Sequence, residues 1–173
     1  MVRILEKAPD FRARAVTGRG EILDVSLADF KGKWLVLFFY PRDFTAVCPT
    51  EIVEFSKRSR EFEALGAKVA GCSVDTADSH RSWIENGLGP VAIPLIADPG
   101  KEMARSYGAL LEKEGVATRA TCILDPDGVV QYACWHNLRV GRSVSETLRV
   151  LEALQTDERT PAGWHKGQET LGR

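Results

Sequence analysis

The residues best suited to chemistry lie between Tyr40 and Glu51. This stretch reads Tyr-Pro-Arg-Asp-Phe-Thr-Ala-Val-Cys-Pro-Thr-Glu, and it follows an apolar run and opens an amphipathic, helix-like pattern. The spacing places Cys48 where the unpaired N–H groups of a helix start converge, and their partial positive charges favour a thiolate over a thiol. The sequence therefore predicts that Cys48 is reactive.

Each residue of this stretch also has a plain structural interpretation. Cys48 could be a small buried apolar residue after a turn, Thr45 a turn residue and Pro41 a strand stop. Their joint spacing, Pro-x-x-x-Thr-x-x-Cys, together with Arg42 and Glu51, instead favours a thiolate in an electropositive pocket. We take the second interpretation as the working hypothesis.

The elements that must position Cys48 are a strand and a helix. The continuous apolar run from Trp34 to Tyr40 predicts a strand buried on both faces of a sheet. After Cys48, one packed helix is predicted to run to Leu65 and Gly66. Its apolar face is built at spacings of three and four by Ile52, Phe55, Ser59 and Phe62.

The rest of the chain predicts an α/β fold with a mixed central sheet. Residues 1–33 predict an N-terminal hairpin, because short apolar patches alternate there with turn formers. Further strands are predicted over residues 67–74, 93–97, 119–124 and 129–135, the last two joined as a hairpin by the turn at 125–128. Further helices are predicted to start at Asp78 or Ser79 as the N-cap, at Lys101 and at Ser143. We expect one domain over residues 1–155 and a C-terminal tail over residues 156–173, anchored if at all by Trp164.

Composition and charge exclude several classes of protein. The 173 residues are 44% hydrophobic and 27% charged, which is enough for one full core. Twenty-three basic and 24 acidic side chains give a net charge of −1, so nothing favours nucleic acid or an anionic membrane as partner. No apolar run has the length of a signal peptide or approaches the ~18 residues of a membrane span. We expect a soluble, cytoplasmic protein.

The four cysteines, at positions 48, 72, 122 and 134, are too sparse for a disulfide scaffold and form no Cys-x-x-Cys pair. The missing pair argues against a thiol-disulfide oxidoreductase. The three histidines are scattered without metal-ligand spacing, and none is placed as the base of a cysteine hydrolase. The sequence therefore predicts neither a metal nor a cofactor.

The active stretch resembles that of the peroxiredoxin family. Pro41, Thr45 and Cys48 reproduce the peroxiredoxin active-site motif, and the longer run is similar to the typical two-cysteine, alkyl-hydroperoxide-reductase-like branch. The resemblance covers nearly the whole chain, including Arg119, Val140-Gly141-Arg142-Ser143 and Pro161-Ala162-Gly163-Trp164.

This resemblance implies a thioredoxin-like fold and a thiol peroxidase that reduces hydrogen peroxide and organic hydroperoxides. Cys48 would attack the peroxide as a thiolate and become a sulfenic acid. Thr45 would hydrogen-bond the thiolate and the peroxide, Pro41 would shield the site, and Arg119 would hold thiolate and substrate. Without the resemblance, the favoured interpretation of Arg119 is an arginine at a strand end whose guanidinium extends into water. Two further positions are expected to support the site: Glu51 and Trp83.

The recovery of Cys48 is where the sequence departs from this branch. The typical branch has its resolving cysteine immediately before Pro-Ala-Gly-Trp, and here that position is Thr160, whose hydroxyl cannot form a disulfide. Cys72, near the carboxyl end of a strand, is the nearest substitute; Cys134, at a sheet edge or subunit contact, is another; Cys122 should face the core. For all three, core packing remains the simpler interpretation.

The first hypothesis is therefore one-cysteine behaviour, with an external small thiol or a thioredoxin-like redox protein as the reductant. The family's habits further imply a homodimer or a ring of dimers. The alternative function is a redox-sensing oligomeric holdase with little peroxidase turnover, for which the sequence contains no residue signature. The sequence identifies neither the preferred peroxide nor the physiological reductant.

Overall fold

A computed structural model describes all residues from 1 to 173 and contains a seven-stranded mixed sheet. The strand order is β2-β1-β5-β4-β3-β8-β9. The strands are β1 (Arg12–Val16), β2 (Ile22–Ser26), β3 (Trp34–Phe39), β4 (Ala67–Ser73), β5 (Leu95–Ala97), β8 (Arg119–Leu124) and β9 (Val130–His136). A separate two-stranded sheet, which the sequence did not predict, is formed by β6 (Leu110–Leu111) and β7 (Val116–Ala117).

Strand β3 is the centre of the sheet, as its apolar run predicts. It pairs in parallel with β4 and antiparallel with β8, and its residues from Leu35 to Phe39 are at most 1% exposed. Because this strand is covered on both faces, all of its side chains are buried, which explains the unbroken apolar sequence. The predicted hairpins are also confirmed, since β1 pairs with β2 and β8 pairs with β9, both antiparallel.

The helices differ from the prediction in three places. The predicted single helix after Cys48 is two helices, α1 (Cys48–Lys57) and α2 (Ser59–Ala64), because the backbone of Arg58 leaves the helical region at φ −98° and ψ 9°. Helix α3 (Ala77–Trp83) is capped by Thr76, not by Asp78 or Ser79. The Thr76 hydroxyl accepts the Ser79 N–H at 3.1 Å and so satisfies one of the free donors of the first turn.

The third difference is the end of the short helix predicted from Lys101 to Leu110. In the structure this helix, α4, spans only Glu102–Ser106, because the chain then turns into β6. The last helix, α5 (Val144–Leu154), agrees with the prediction, and the hydroxyl of Ser143 accepts the Glu146 N–H at 3.1 Å as its N-cap. None of the helices is long and apolar enough to cross a membrane.

The two faces of the sheet have different neighbours. Leu37 lies opposite Cys122 and Phe39 lies opposite Cys72, and all four side chains belong to the main apolar core. The intervening residue, Phe38, points to the other face, where its ring stacks on Phe55 of α1 at 4.4 Å between centroids. Helix α1 therefore lies on the Phe38 face of the sheet.

The chain divides into two compact units, residues 1–142 and residues 143–173. The second unit contains α5 followed by a segment without helix or strand. Within it Trp164 is 4% exposed, its indole N–H donates to the Gln168 carbonyl at 3.1 Å, and its own carbonyl accepts from Arg149 at 2.9 Å. Every residue that the sequence analysis placed in the peroxide site belongs to the first unit.

Candidate active site

Cys48 is the first residue of α1, where the sequence places it. The side chain is fully buried, and the Arg119 guanidinium donates from Nη1 to the Cys48 sulfur at 3.4 Å. The cysteine therefore combines a helix start, whose N–H groups have no helical partner, with a full positive charge in contact with its sulfur. Both features favour a negatively charged sulfur at this position.

Arg119 reaches the sulfur from the first position of β8. It lies on the Phe38 face of the sheet, because Thr121, two residues further on, is the partner of Phe38. Its Nε donates to the Leu138 carbonyl at 2.8 Å and its Nη1 to Glu51 Oε2 at 2.7 Å. Arg119 is only 3% exposed, and its guanidinium is fixed by these two partners and the Cys48 sulfur. The alternative interpretation, in which the guanidinium of Arg119 extends into water, is therefore wrong.

Glu51 connects Arg119 to a second buried arginine, Arg142. The Arg142 backbone N–H and Nε donate to Glu51 Oε1 at 2.8 and 2.9 Å, and Arg142 Nη2 donates to the Phe39 carbonyl at 2.6 Å. Burial alone would raise the pKa of Glu51, but the hydrogen bonds and charge of Arg142, with the charge of Arg119, outweigh it and lower that pKa. The carboxylate is a fixed anchor for both cations.

Arg142 was not assigned a role in the sequence analysis, although it was noted within the resemblance. Its partners lie 91 residues away at Glu51 and 103 residues away at Phe39, so no local pattern reveals them. The only available signal was that an arginine in a buried setting needs a carboxylate. The guanidinium also lies over the Phe38 ring, 5.0 Å from the centroid.

Thr45 and Pro41 lie in the loop between β3 and α1. Thr45 is exposed, and its hydroxyl donates to the Arg42 carbonyl at 3.1 Å, so in this arrangement the hydroxyl hydrogen does not serve Cys48. The oxygen keeps lone pairs that can accept. Pro41 is half-buried. The structure therefore brings Cys48, Arg119 and Glu51 into direct contact, and places Pro41 and Thr45 on the adjoining loop.

The same loop is held by a second buried network, which the sequence analysis missed. Asp43 Oδ2 lies 2.8 Å from His80 Nδ1, and the other ring nitrogen of His80 lies 3.1 Å from the Ile96 carbonyl. The ring of His80 is fully buried, so these two contacts fix its orientation. Tyr40 donates to Asp43 Oδ1 at 3.0 Å, and burial raises the pKa of Tyr40 well above its usual value.

Trp83, expected to support the site, packs beside this network rather than on the sulfur. Its ring lies 6.2 Å from that of Tyr40 and 5.9 Å from that of Phe44, measured between centroids. Phe44 is 59% exposed and has a backbone φ of +55°, a left-handed conformation that is costly for an aromatic residue. Trp83 thus supports the loop that leads to Cys48.

The other three cysteines are free thiols with different surroundings. Cys72 and Cys122 are fully buried on the face of the sheet opposite to α1, so the sheet lies between them and Cys48. Burial, and next to it the charge of Asp98, raises the pKa of Cys72 well above its usual value; burial raises the pKa of Cys122 to about 12. Cys134 is half-buried and pairs with Thr121, which puts it on the same face as Arg119. No group of three or more His, Cys, Asp or Glu side chains is arranged to hold a metal ion.

A buried cysteine at a helix start, in contact with a fixed arginine on a mixed α/β sheet, defines a thiol-based oxidoreductase with a thioredoxin-like fold. The chain belongs to the AhpC/TSA family, whose sequence profile matches residues 4–133. It is a thiol-dependent peroxidase, as the resemblance to peroxiredoxins implied.

Individual relatives agree over nearly the full length. The chain is 48% identical to Peroxiredoxin-2 of Macaca fascicularis over 98% of this chain and 89% of the relative. It is 46% identical to a chloroplastic 2-Cys peroxiredoxin of Hordeum vulgare over 95% of this chain and 83% of the relative. The reduced 2-Cys peroxiredoxin of Plasmodium vivax superposes with a TM-score of 0.94 at 35% identity, covering 98% of this chain and 92% of that one.

Proposed function

We propose that Cys48 is the residue oxidised by peroxide. The observation that carries this proposal is the 3.4 Å contact between Arg119 Nη1 and the Cys48 sulfur at the start of α1. The thiolate sulfur attacks one peroxide oxygen, an S–O bond forms and the O–O bond breaks. The other oxygen leaves with the electron pair, takes up a proton and departs as water or an alcohol, so Cys48 becomes a sulfenic acid.

The surrounding residues have separate roles in this proposal. Arg119 stabilises the charge that develops on the leaving oxygen, and Glu51 with Arg142 keeps the Arg119 guanidinium in place. Thr45 receives the peroxide from the loop side and Pro41 shields the sulfur from bulk water. Trp83 is a positioning residue for the loop. Hydrogen peroxide and organic hydroperoxides are the proposed substrates.

We further propose that the sulfenic acid is returned by an external thiol reductant, so that the protein behaves as a one-cysteine enzyme. Thr160 at the expected resolving position supports this, and so does the sheet between Cys48 and the two core cysteines. Cys134, on the Arg119 face, remains the candidate for an internal partner. The reductant is a small thiol or a thioredoxin-like protein.

The proposal also covers the cellular location and the oligomeric state of the protein. Four free cysteines suit a reducing compartment, which supports a cytoplasmic location. The relationship to peroxiredoxins supports a homodimer or a ring of dimers. We propose that residues 1–155 form the peroxidase domain and contain all of the catalytic residues, and that residues 156–173 form a tail.

The test treats the protein with one equivalent of hydrogen peroxide and follows intact mass, free thiols and non-reducing gels. A gain of one oxygen, trapped by dimedone on the peptide that contains Cys48, is the expected result. Cys48→Ser should consume no peroxide and gain no dimedone adduct. A rapid disulfide would contradict one-cysteine behaviour, and peptide mapping would then name the partner.

A further inference from the structure

Asp43 anchors the loop between β3 and α1. Its backbone N–H donates to Asp75 Oδ2 at 2.9 Å. Its buried carboxylate accepts the Tyr40 hydroxyl at 3.0 Å on one oxygen and the Ser79 hydroxyl at 2.8 Å on the other. The second oxygen also lies 2.8 Å from His80 Nδ1. The loop that leads to the reactive cysteine is therefore fixed at one residue by four contacts.

The partners of Asp43 are themselves held by regular elements. His80 lies in α3, is fully buried, and has its Nε2 at 3.1 Å from the Ile96 carbonyl of β5. Asp75 follows β4 and also accepts the Ser73 hydroxyl at 2.6 Å. Asp43 thus connects the loop to one helix and to the ends of the strands beside it.

The bend that carries Thr45 is built around this anchor. The Thr45 hydroxyl donates to the Arg42 carbonyl at 3.1 Å, so Asp43 and Phe44 are the two residues that this contact encloses. Phe44 has a left-handed backbone, with φ +55°. A non-glycine residue keeps such a conformation only where the surrounding structure holds it. The four contacts of Asp43, one residue earlier, provide that support.

The contacts of the Cys48 sulfur belong to a different set. Arg119 donates to the sulfur and is held by Glu51, and neither residue is among the partners of Asp43. A change at Asp43 can therefore move the bend that carries Thr45 while the guanidinium beside the sulfur stays in place. This separation gives Asp43 a role of its own.

Resting on the proposed function, we propose that Asp43 is a positioning residue for the peroxide step and that His80 acts through it. Held by His80, Asp43 keeps the bend closed, and the bend keeps Thr45 where it receives the peroxide. The charge on the sulfur is left to Arg119. Loss of the anchor should therefore slow the attack on peroxide without making Cys48 less reactive toward other electrophiles.

The experiment compares two reactions of Cys48 in Asp43→Asn. The amide keeps the size of the carboxylate but offers one oxygen instead of two, so one side of the anchor loses its acceptor. The rate constant for oxidation by hydrogen peroxide, measured by rapid quench and peptide mass, should fall on the order of 10²-fold, the loss that a misplacement of about 1 Å produces. The rate constant for alkylation of the same cysteine by iodoacetamide should not fall, because that reaction needs the thiolate but not Thr45. The ratio of oxidation to alkylation therefore falls.

Asp125→Asn is the matched control. This half-buried carboxylate also holds a turn, through the Asp127 and Val129 N–H groups at 2.9 and 3.0 Å and the Gln131 amide at 2.8 Å. It lies at the other end of the central strand, since β8 ends beside the start of β3. The ratio of oxidation to alkylation should equal that of the wild type, even if the variant is less stable.

Two substitutions of His80 separate its two contacts. His80→Asn places an amide where Nδ1 meets Asp43, and should keep the ratio within about threefold of the wild type. His80→Gln reaches the Ile96 carbonyl instead, leaves Asp43 without this contact, and should lower the ratio about tenfold. Ser79→Ala is the mildest change to the anchor and should lower the ratio about fivefold, the equivalent of one hydrogen bond.

A double-mutant cycle tests whether Asp43 acts through Thr45. Thr45→Val removes the hydroxyl and keeps the shape of the side chain. In that background Asp43→Asn should lower the oxidation rate by less than about threefold, because the residue that Asp43 positions has already lost its function.

Three results would overturn the proposal: an unchanged ratio in Asp43→Asn, an equal fall in Asp125→Asn, or full additivity with Thr45→Val. If Asp43→Asn fails to fold, the ratio in Ser79→Ala gives the same decision. Equal losses in His80→Asn and His80→Gln would show that His80 acts by packing, which overturns its assigned role.

Failure of the proposed function has a different signature. In that case peroxide leaves Cys48 of the wild type unoxidised, or Thr45→Val reacts with peroxide as fast as the wild type. Neither result depends on a change at Asp43 or His80.

Discussion

Cys48 and Cys72 are both fully buried beside strand β3, yet the structure gives them opposite chemistry. Cys48 lies on the Phe38 face at the start of α1, in contact with Arg119. Glu51 joins Arg119 to a second buried arginine, Arg142. Cys72 lies on the Phe39 face among apolar side chains, where burial and then the charge of Asp98 raise its pKa. Burial therefore does not decide whether a thiol reacts; the charges buried with it do.

The two faces also differ in how they are stabilised. The Cys72 face gains its stability from apolar area removed from water, which tolerates small losses. The Phe38 face buries a carboxylate and two guanidinium groups, whose desolvation is offset only by their mutual contacts. Changes on the two faces should therefore differ in size and in kind.

The largest expected effect is that of Cys48→Ser on peroxide reduction. Removing the nucleophile should lower the rate on the order of 10⁴-fold or more, because Cys48 is the cysteine whose sulfur accepts a hydrogen bond from a guanidinium. The measurement is peroxide consumption in the presence of a thiol, with the unfolding free energy measured alongside. Residual activity that Cys72→Ala then abolishes would contradict the distinction between the two faces.

The second effect is that of Glu51→Gln on stability. The amide leaves two buried guanidinium groups without a counter-charge, so unfolding should become easier by about 3–5 kcal/mol. The measurement is urea unfolding at neutral pH. Glu112→Gln, in an exposed pair with Arg105 at 2.8 Å, is the matched control and should change stability little.

The pH dependence of the same variant tests the cause. The pKa of Glu51 is lowered below 4.5 in the folded protein, so the folded state holds this proton less tightly than the unfolded state. Its stabilising contribution is present above the unfolded value of 4.5 and is lost as the pH falls through the lowered folded value. Glu51→Gln should therefore flatten the acid limb of the stability profile. An unchanged acid limb would show that the arginines do not need this carboxylate.

The third effect is that of Arg119→Ala on the rate of the peroxide step. A free thiol of pKa about 8.5 is roughly 3% ionised at pH 7, so complete ionisation can raise the rate at most about 30-fold. Acidifying a thiol by about 2.5 units also costs on the order of tenfold in nucleophilicity. Ionisation alone is therefore nearly neutral, and Arg119 must act mainly on the charge of the leaving oxygen.

On this basis Arg119→Ala should slow the peroxide step about 10²–10³-fold. Stopped-flow rates across pH, with the thiolate measured independently by ultraviolet absorbance, separate the two contributions. Arg105→Ala, which removes an exposed arginine of α4 paired with Glu112, should leave the rate unchanged. A rate that simply follows the thiolate fraction would show that Arg119 only ionises the thiol.

How much of the fold and of the site could be predicted from the sequence depends on how far apart in the chain the contacting residues are. The helix start at Cys48 and the buried strand before it are local patterns, and both are present in the structure. The break at Arg58 was missed because Ile52, Phe55 and Phe62 are buried across it, so the apolar spacing continues while the backbone does not. Hydrophobic periodicity reports which face is buried, not whether the helix is continuous.

The partners of the site were less accessible to sequence reasoning. The alternation of side chains along a strand predicts that Cys122 and Arg119 point to opposite faces of the sheet, and the structure agrees. The same reasoning could not place Cys72, because its face depends on the register that puts it beside Phe39, which no single strand reveals. Arg142 and His80 depend on contacts across 91 and 37 residues, which only the folded chain brings together.

The smallest effect is that expected for Cys72→Ala, which tests the separation of the two faces directly. The variant removes a sulfur from a packed apolar core and should lower the unfolding free energy by roughly 1–2 kcal/mol. Turnover with the same thiol should stay within about twofold of wild type, because the raised pKa of Cys72 keeps it a thiol and the sheet separates it from Cys48. If Cys72→Ala instead lets the Cys48 sulfenic acid accumulate, the sheet must open during turnover to join the two sulfurs. In that case the two faces act as one redox unit, and the external thiol reduces a disulfide rather than a sulfenic acid.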